Sequence, residues 1–292
     1  MNKSGVSDIK SANLSIVIAT IGRSSLSITL DCISNWDQQP AEVIAVLPKG
    51  STFVMPSHEY HFDLRVLIAE SVGQVSQRIY GFTHAKYDLV LQLDDDLLLD
   101  YSSYSEMAKL LEIDPDVAVS PIFIDMETGQ SMFNAPSNSL AEVKDLISSV
   151  ILGADRWPVK MGRIAKAGIP YGVNRDSMTS DYLQVEWLSG GCVLHHRKNL
   201  VLTNYYPFVG RAALEDLFHS LLLTQKGVKL MICKNASCRV EVEHNSPTFK
   251  TVLHEYKLLH EYVTRAKLSI VRLRIWLLLS MLRALIISLA KK

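Results

Sequence analysis

The chain has 292 residues, 48% of them hydrophobic, and 30 Lys and Arg balance 30 Asp and Glu. A formal net charge of zero supplies no global attraction to nucleic acid, so no nucleic-acid partner is expected. The four cysteines, Cys32, Cys192, Cys233 and Cys238, contain no CxxC pair, which points to reduced thiols and away from a zinc site.

Met1 to Asn13 is polar and lacks the apolar core of a secretory signal. Leu14 to Ala19 then reads as a short buried strand. Thr20-Ile21-Gly22-Arg23 is its turn, and Ser24 or Ser25 can cap a helix running to about Trp36. Glu42 to Leu47 predicts a second strand, closed by Pro48-Lys49-Gly50, and Leu64 to Ala69 a third. Ser71 with Gln74 three residues on has the pattern of a capping box, predicting a helix that reaches Ala85. Next comes Leu89-Val90-Leu91-Gln92-Leu93-Asp94-Asp95-Asp96, an apolar run that ends in three carboxylates. Such a triplet either solvates a turn and caps the next helix, or binds a divalent cation, whose charge offsets the mutual repulsion of the acids. A helix is predicted near Ser103 to Glu112 and a strand over Asp116 to Ile124, interrupted by Pro121.

Strands alternating with helices predict an α/β fold with a doubly wound, mostly parallel sheet, and ligands bind such sheets beyond the carboxyl ends of the strands. One more helix is predicted around Ser139 to Leu152. Gly153 to Asp181 has no clear period and reads as a lid or binding loop. Leu183 to Leu188 and Cys192 to Leu194 read as strands around Ser189-Gly190-Gly191, where backbone or ligand can approach closely. Ala213 to Lys226 is an amphipathic helix, with Leu214, Leu217, Phe218, Leu221 and Leu222 on one face and Glu215, Asp216, His219 and Ser220 on the other. Val228 to Cys233 and Arg239 to Glu243 predict two further strands, and a long helix starts near Phe249.

The end of the chain is strongly apolar from Leu268 to Ala290, with Arg272, Arg274 and Arg283 embedded and Lys291-Lys292 following. Arg265, Arg272 and Arg283 are spaced as if on one helical face. The uncharged stretches are shorter than a spanning helix needs, so a helix lying in the membrane interface is expected, with a core or dimerisation helix and a short spanning anchor as the other readings.

Four segments resemble family 2 glycosyltransferases of the GT-A fold, in the same order: LSIVIATIGR (14–23), GQVSQRIYGFTHAKYDLVLQLDDD (73–96), LSGGCVLHHR (188–197) and LEDLFHSLLLTQKGVKL (214–230). Each is weak alone; together they cover most of residues 14–245. The resemblance implies a GT-A domain over 1–247, with a nucleotide-sugar half at about 14–125 and an acceptor half at about 126–247. Residues 248–292 are then a helical membrane-association segment.

The same resemblance implies an inverting sugar transfer assisted by Mg²⁺ or Mn²⁺. Asp94 and Asp96 match the outer acids of the family's DxD. Asp96 is the expected direct metal ligand, and Asp94 faces the metal or the sugar and ribose. Asp95 is expected to point away, because successive residues of an extended strand alternate in direction. His244 stands where some relatives bring a histidine to the metal. Thr20, Arg23 and Arg78, with Asp94 and Asp95, make up the expected nucleotide-sugar contacts. Asp216 matches the general base and Glu215 an acceptor-orienting acid; the plain alternative is that both acids only suit a helix N-terminus. Trp187 is read as either a sugar-stacking or a core residue.

The family's acid after the second strand is absent, since Leu47-Pro48-Lys49-Gly50-Ser51 stands there, so the base of the donor is left open. The expected acceptor is a lipid-linked or other membrane-borne glycan. The expected setting is bacterial surface polysaccharide assembly, peripheral on the cytoplasmic face of the plasma membrane. The rival readings are a sugar nucleotidyltransferase, disfavoured by the lack of a Gly-rich basic loop after the first strand, and a non-catalytic nucleotide-sugar-binding scaffold.

Overall fold

The computed structural model describes residues 13–51, 60–133, 138–207, 212–242 and 247–290. His244, expected as a metal ligand, lies outside the described residues.

Strand β1 (Leu14–Ala19) leads to helix α1 (Ser25–Ser34), β2 (Glu42–Pro48), β3 (Asp63–Ala69), α2 (Gln74–His84) and β4 (Leu89–Asp94). Then follow β5 (Leu97–Leu99), α3 (Tyr101–Ile113), β6 (Val117–Asp125), α4 (Ser139–Leu152), β7 (Tyr182–Val185) and β8 (Cys192–His196). The chain continues with α5 (Glu215–Gln225), β9 (Lys229–Val240), α6 (Phe249–Arg265) and α7 (Ile270–Ala290). One sheet of nine strands runs β3-β2-β1-β4-β8-β6-β9-β5, with β7 also paired to β9.

Strands β1 to β4 are mutually parallel, as the alternation of strands and helices predicts. β1 and β2 are buried along their whole length, which explains their continuous apolar runs: both sheet faces are covered. The other half is mixed. β8 runs antiparallel to β4 and β6, β9 runs parallel to β6, and β5 and β7 run antiparallel to β9. Three residues of apolar Leu97-Leu98-Leu99 are too few to signal β5 by periodicity; it forms because β9 offers its edge.

Several local expectations change. Helix α2 begins at Gln74 with Gly73 (φ 138°) as its N-cap, and no side chain caps it, so Ser71 and Gln74 form no capping box. Gln74 instead turns its amide to Asp94 Oδ1 at 3.1 Å. The two strands expected at Val228–Cys233 and Arg239–Glu243 are one strand, β9, whose register with β6 shifts at Pro121/Ile122, where the proline withdraws a ladder donor. Helices α6 and α7 are separate, with Lys267 at φ 56° between them, so Arg265 does not share a helix with Arg272 and Arg283. Gly153 to Asp181 is irregular as expected, yet it contributes Ala165, Ala167, Val173 and Met178 to the buried interior. All four cysteines are free.

Helix α2 sits unusually close to the sheet. A Cβ on Gly81 would lie 2.4 Å from Val17 Cγ1 of β1 and 2.9 Å from Val46 Cγ2 of β2. Glycine here removes the side chain that would hold the two apart, and α2 is thereby pressed over the carboxyl ends of β1, β2 and β4. Gln77 fixes that position, donating from Nε2 to the carbonyls of Thr20 (2.8 Å) and Val46 (2.7 Å).

Candidate active site

The carboxyl ends of β1 and β4 lie side by side, with Ala19 paired to Asp94, so Thr20 and the acid triplet emerge together. Thr20 Oγ1 donates a hydrogen bond to Asp95 Oδ2 and accepts one from Gly22 N at 2.9 Å. Asp95 is thus buried against the first strand's turn. Burial raises its carboxyl above the ordinary range, Thr20 offsets this in part, and the charge of neighbouring Asp96 adds to the rise. Asp95 serves the turn; Asp96 beside it is exposed. Arg23 is also exposed, and its charge acts on Asp95.

Asp94 lies between these extremes and is held by its neighbours. Arg78, fully buried on α2, places Nη2 2.6 Å from Asp94 Oδ1 and Nη1 2.8 Å from Glu215 Oε1 on α5. One guanidinium therefore joins the strand carrying the acid triplet to the helix carrying the acid pair. Burial pushes the Asp94 carboxyl up and Arg78 pulls it back, leaving it at about 6.

Helix α5 packs its predicted apolar face on the interior, but it is buried on its polar face as well. Its polar residues Glu215, His219 and Ser220 are buried, together with Leu217, Phe218 and Leu223, whereas Leu221 and Leu222 are only partly covered. The polar face turns inward because the sheet side offers it partners. Arg78 takes Glu215, and Ser220 Oγ accepts from Leu188 N at 3.0 Å. The helix starts from Leu214 in the left-handed region (φ 56°), a strained conformation for a leucine. Tyr206 holds this turn, its hydroxyl donating to Ala213 O at 2.8 Å and accepting from Ala213 N at 2.9 Å.

Gly190 explains why the turn leading into β8 needs glycine. A Cβ there would stand 2.8 Å from Glu215 Oε1, 3.3 Å from Arg78 Nη1 and 3.4 Å from Asp216 Cβ. Gly191 is packed against Leu97, and its carbonyl accepts from Asp94 N at 2.8 Å. Asp216, in the first turn of α5, accepts from Leu217 N at 2.9 Å. Burial, and then the charge of Glu215, push its carboxyl well above the usual carboxylate range. A carboxylate with high proton affinity at a cleft is suited to taking a proton from a hydroxyl.

Below this polar layer, Tyr205 stacks on His219 with ring centroids 5.4 Å apart, and His219 lies 5.5 Å from His195. Burial depresses both histidines, His195 to about 3, so they are neutral packing groups. Tyr205, Gln74 and Gln77 are site residues that sequence reasoning missed. Gln74 had a usable signal, standing four residues before Arg78 and hence on the same helical face. Trp187 is half-buried and packs against the interior. Its indole donates to Tyr171 O at 3.0 Å, and it lines a small open pocket with Phe133, Tyr171 and Ser189.

The donor set for a divalent cation fits without being complete. Asp96 has no hydrogen-bond or ion-pair partner among the described residues, and its charge raises both Asp94 and Asp95. Asp94 Oδ2 remains beside Gly191 while Oδ1 is held by Arg78. Among the described residues no three His, Cys, Asp or Glu form a metal cluster. Two carboxylates with the remaining positions left to phosphate oxygens and water is the usual arrangement for Mg²⁺ at a phosphate site.

The strand order, the acid triplet at the end of β4 and the acidic first turn of α5 define an α/β fold of the GT-A type. No family model matches the chain, and no curated protein matches it by sequence. Solved structures are similar to it, among them one described as the crystal structure of GalNAc-T7 with UDP, GalNAc and Mn²⁺, at 17% identity and a TM-score of 0.54. That likeness covers 80% of this chain and 45% of the other, so the chain spans less than half the length of that relative.

Proposed function

We propose that this protein is a metal-dependent, inverting glycosyltransferase that moves a sugar from a nucleotide-sugar donor to a membrane-borne glycan. The observation carrying this reading is the bridge from Asp94 through Arg78 to Glu215, which ties the acid triplet to the acid pair at one place in the fold. The likeness to a transferase structure holding UDP and Mn²⁺ supports the same reading.

Asp96 and Asp94 would hold Mg²⁺ or Mn²⁺, which as a Lewis acid offsets the charge of a leaving diphosphate. Thr20 and Arg23 stand at the end of β1, where the nucleotide would lie. Arg78 holds Asp94 and Glu215 in place through its two ion pairs. Asp216 takes the proton of the acceptor hydroxyl as that oxygen bonds to the anomeric carbon. The bond from that carbon to the diphosphate oxygen breaks, and the electron pair leaves with the diphosphate. A single displacement of this kind inverts the anomeric configuration.

Helix α7 supports a membrane-borne acceptor. It has 21 residues, no acidic side chain and a mean hydropathy of 1.9 in its most apolar stretch, and little of it is buried. Its length, about 31 Å at 1.5 Å per residue, could cross a bilayer. However, Leu273 and Ala284 are buried, which favours a helix lying along the body over one that leaves it. In this reading the enzyme is peripheral, on the cytoplasmic face, in surface polysaccharide assembly.

The test is nucleoside diphosphate release from a panel of UDP, GDP and dTDP sugars with Mn²⁺ and a membrane-lipid acceptor extract. One donor should turn over, and Asp96→Ala or Asp216→Ala should reduce turnover at least a hundredfold. Full activity in either variant would overturn the role given to that residue, and binding without turnover would favour a scaffold.

A further inference from the structure

Helix α4 is built inside out. Leu140, Val143, Leu146, Ile147 and Val150 are all exposed. At 100° per residue they share one face about 120° wide. Ser139, Glu142 and Lys144 are also exposed, but Asp145 and Ser149 face the other way. Asp145 pairs with buried Lys160, and buried Ser149 lies 3.3 Å from the same ammonium, which also stands 4.5 Å over the Tyr171 ring. A helix bathed in water is arranged the opposite way.

Helix α7 shows the same pattern. Ile275, Leu278, Leu279, Leu282, Leu285 and Ile286 are exposed on one face, also about 120° wide, bordered by exposed Arg274 on one side and exposed Arg283 on the other. The two helices are joined at a corner. Arg272 Nη1 donates to Val150 O at 2.7 Å and Ile151 O at 2.6 Å, satisfying carbonyls that the end of α4 leaves open. Leu152 and Trp276 pack in one small cluster beneath that corner. Val150 on α4, whose carbonyl Arg272 holds, and Val271 and Ile275 on either side of Arg272 along α7 are all exposed, so each helix carries apolar surface up to the corner.

We infer that α4 and α7 form a single two-helix surface that docks on an anionic lipid bilayer, with α4 inserting apolar side chains beside α7. The inference rests on the membrane reading of α7 above and extends it to a second element, in the acceptor half of the domain. The lipid occupant is favoured by charge. α7 carries arginine on both borders and no acid, as an anionic headgroup layer requires. α4 adds apolar area with little charge of its own: exposed Glu142 and Lys144 oppose each other, and Asp145 is paired with Lys160 from the following segment. The docked surface would hold the stretch around Ala165 to Ala167, which packs with Leu152 of α4 and Trp276 of α7, at the headgroup level where a lipid-linked glycan begins.

The experiment is sedimentation of the full chain with phosphatidylglycerol/phosphatidylethanolamine vesicles and with phosphatidylcholine vesicles. Val143→Glu with Ile147→Glu should weaken partitioning at least tenfold on both, because it removes apolar insertion. Val143→Leu with Ile147→Leu should retain it, and circular dichroism melts should match wild type for both pairs. Arg274→Gln with Arg283→Gln should lose the preference for the anionic vesicles alone. Wild-type binding with no loss in the α4 glutamate pair overturns this inference while leaving the α7 reading standing. No binding by the wild type overturns both. If light scattering shows a dimer that the α4 glutamates split while vesicle binding persists, the face belongs to a second copy and the inference is overturned.

Discussion

Arg78 and Glu215 meet at 2.8 Å although 137 positions separate them in the chain, and the same guanidinium reaches Asp94 at 2.6 Å. Its side chain is 2% exposed, so both ion pairs operate with little solvent screening. Arg78→Ala would leave two shielded carboxylates without their countercharge, at a cost of about 3–5 kcal/mol. Urea unfolding should show that loss. Arg78→Lys, which keeps the charge and loses the two-pronged geometry, should fall between.

Asp216 links activity to pH. Its carboxyl is raised by burial and by Glu215, so the folded protein holds that proton more tightly than the unfolded chain does. The associated stability is complete below the unfolded value and is lost as pH rises through the folded one. Asp216→Asn, a mimic of the protonated form, should therefore melt close to wild type at about pH 4 and increasingly above it towards about pH 9. Its turnover should fall by roughly 10²–10⁴. In the wild type, the acid limb of the activity profile should lie above the range of an ordinary carboxylate. A limb near pH 4 would exclude Asp216 as the base.

Gly190 is a positional requirement of the site. Gly190→Ala places a methyl group 2.8 Å from Glu215 Oε1 and 3.3 Å from Arg78 Nη1, two groups pinned to each other. Overpacking of this kind costs about 1–3 kcal/mol. Turnover should fall about tenfold or more as Glu215 is displaced, a loss comparable to 1.4 kcal/mol of transition-state stabilisation. Unchanged kinetics would remove Glu215 from the acceptor site.

Asp96 should separate metal binding from folding. Because it is exposed and unpartnered among the described residues, Asp96→Ala should change stability by less than about 0.5 kcal/mol. Calorimetry should nonetheless show that Mn²⁺-dependent nucleotide binding is lost, as it should be for the wild type in EDTA. Equal nucleotide affinity with and without Mn²⁺ would place the cation elsewhere.

The parallel half of the sheet was legible because β1, β2 and β4 are apolar on both faces and end in recognisable turns, signals carried by a few adjacent residues. The acid triplet and the Glu215-Asp216 pair were legible for the same reason. The amphipathic reading of α5 gave its apolar face, which packs on the interior, but not the burial of its polar face, which depends on Arg78, a partner from another helix. The capping box at Ser71 failed similarly, since Asp94 holds the Gln74 amide instead. Local sequence determined which residues form strands, where the carboxylates stand and how apolar the chain's end is. Only the tertiary structure decided that one buried arginine joins Asp94 to Glu215, that Asp95 turns to Thr20, and that α4 shows its apolar face outward. Each of those depends on groups far apart in sequence competing for the same charge or the same surface.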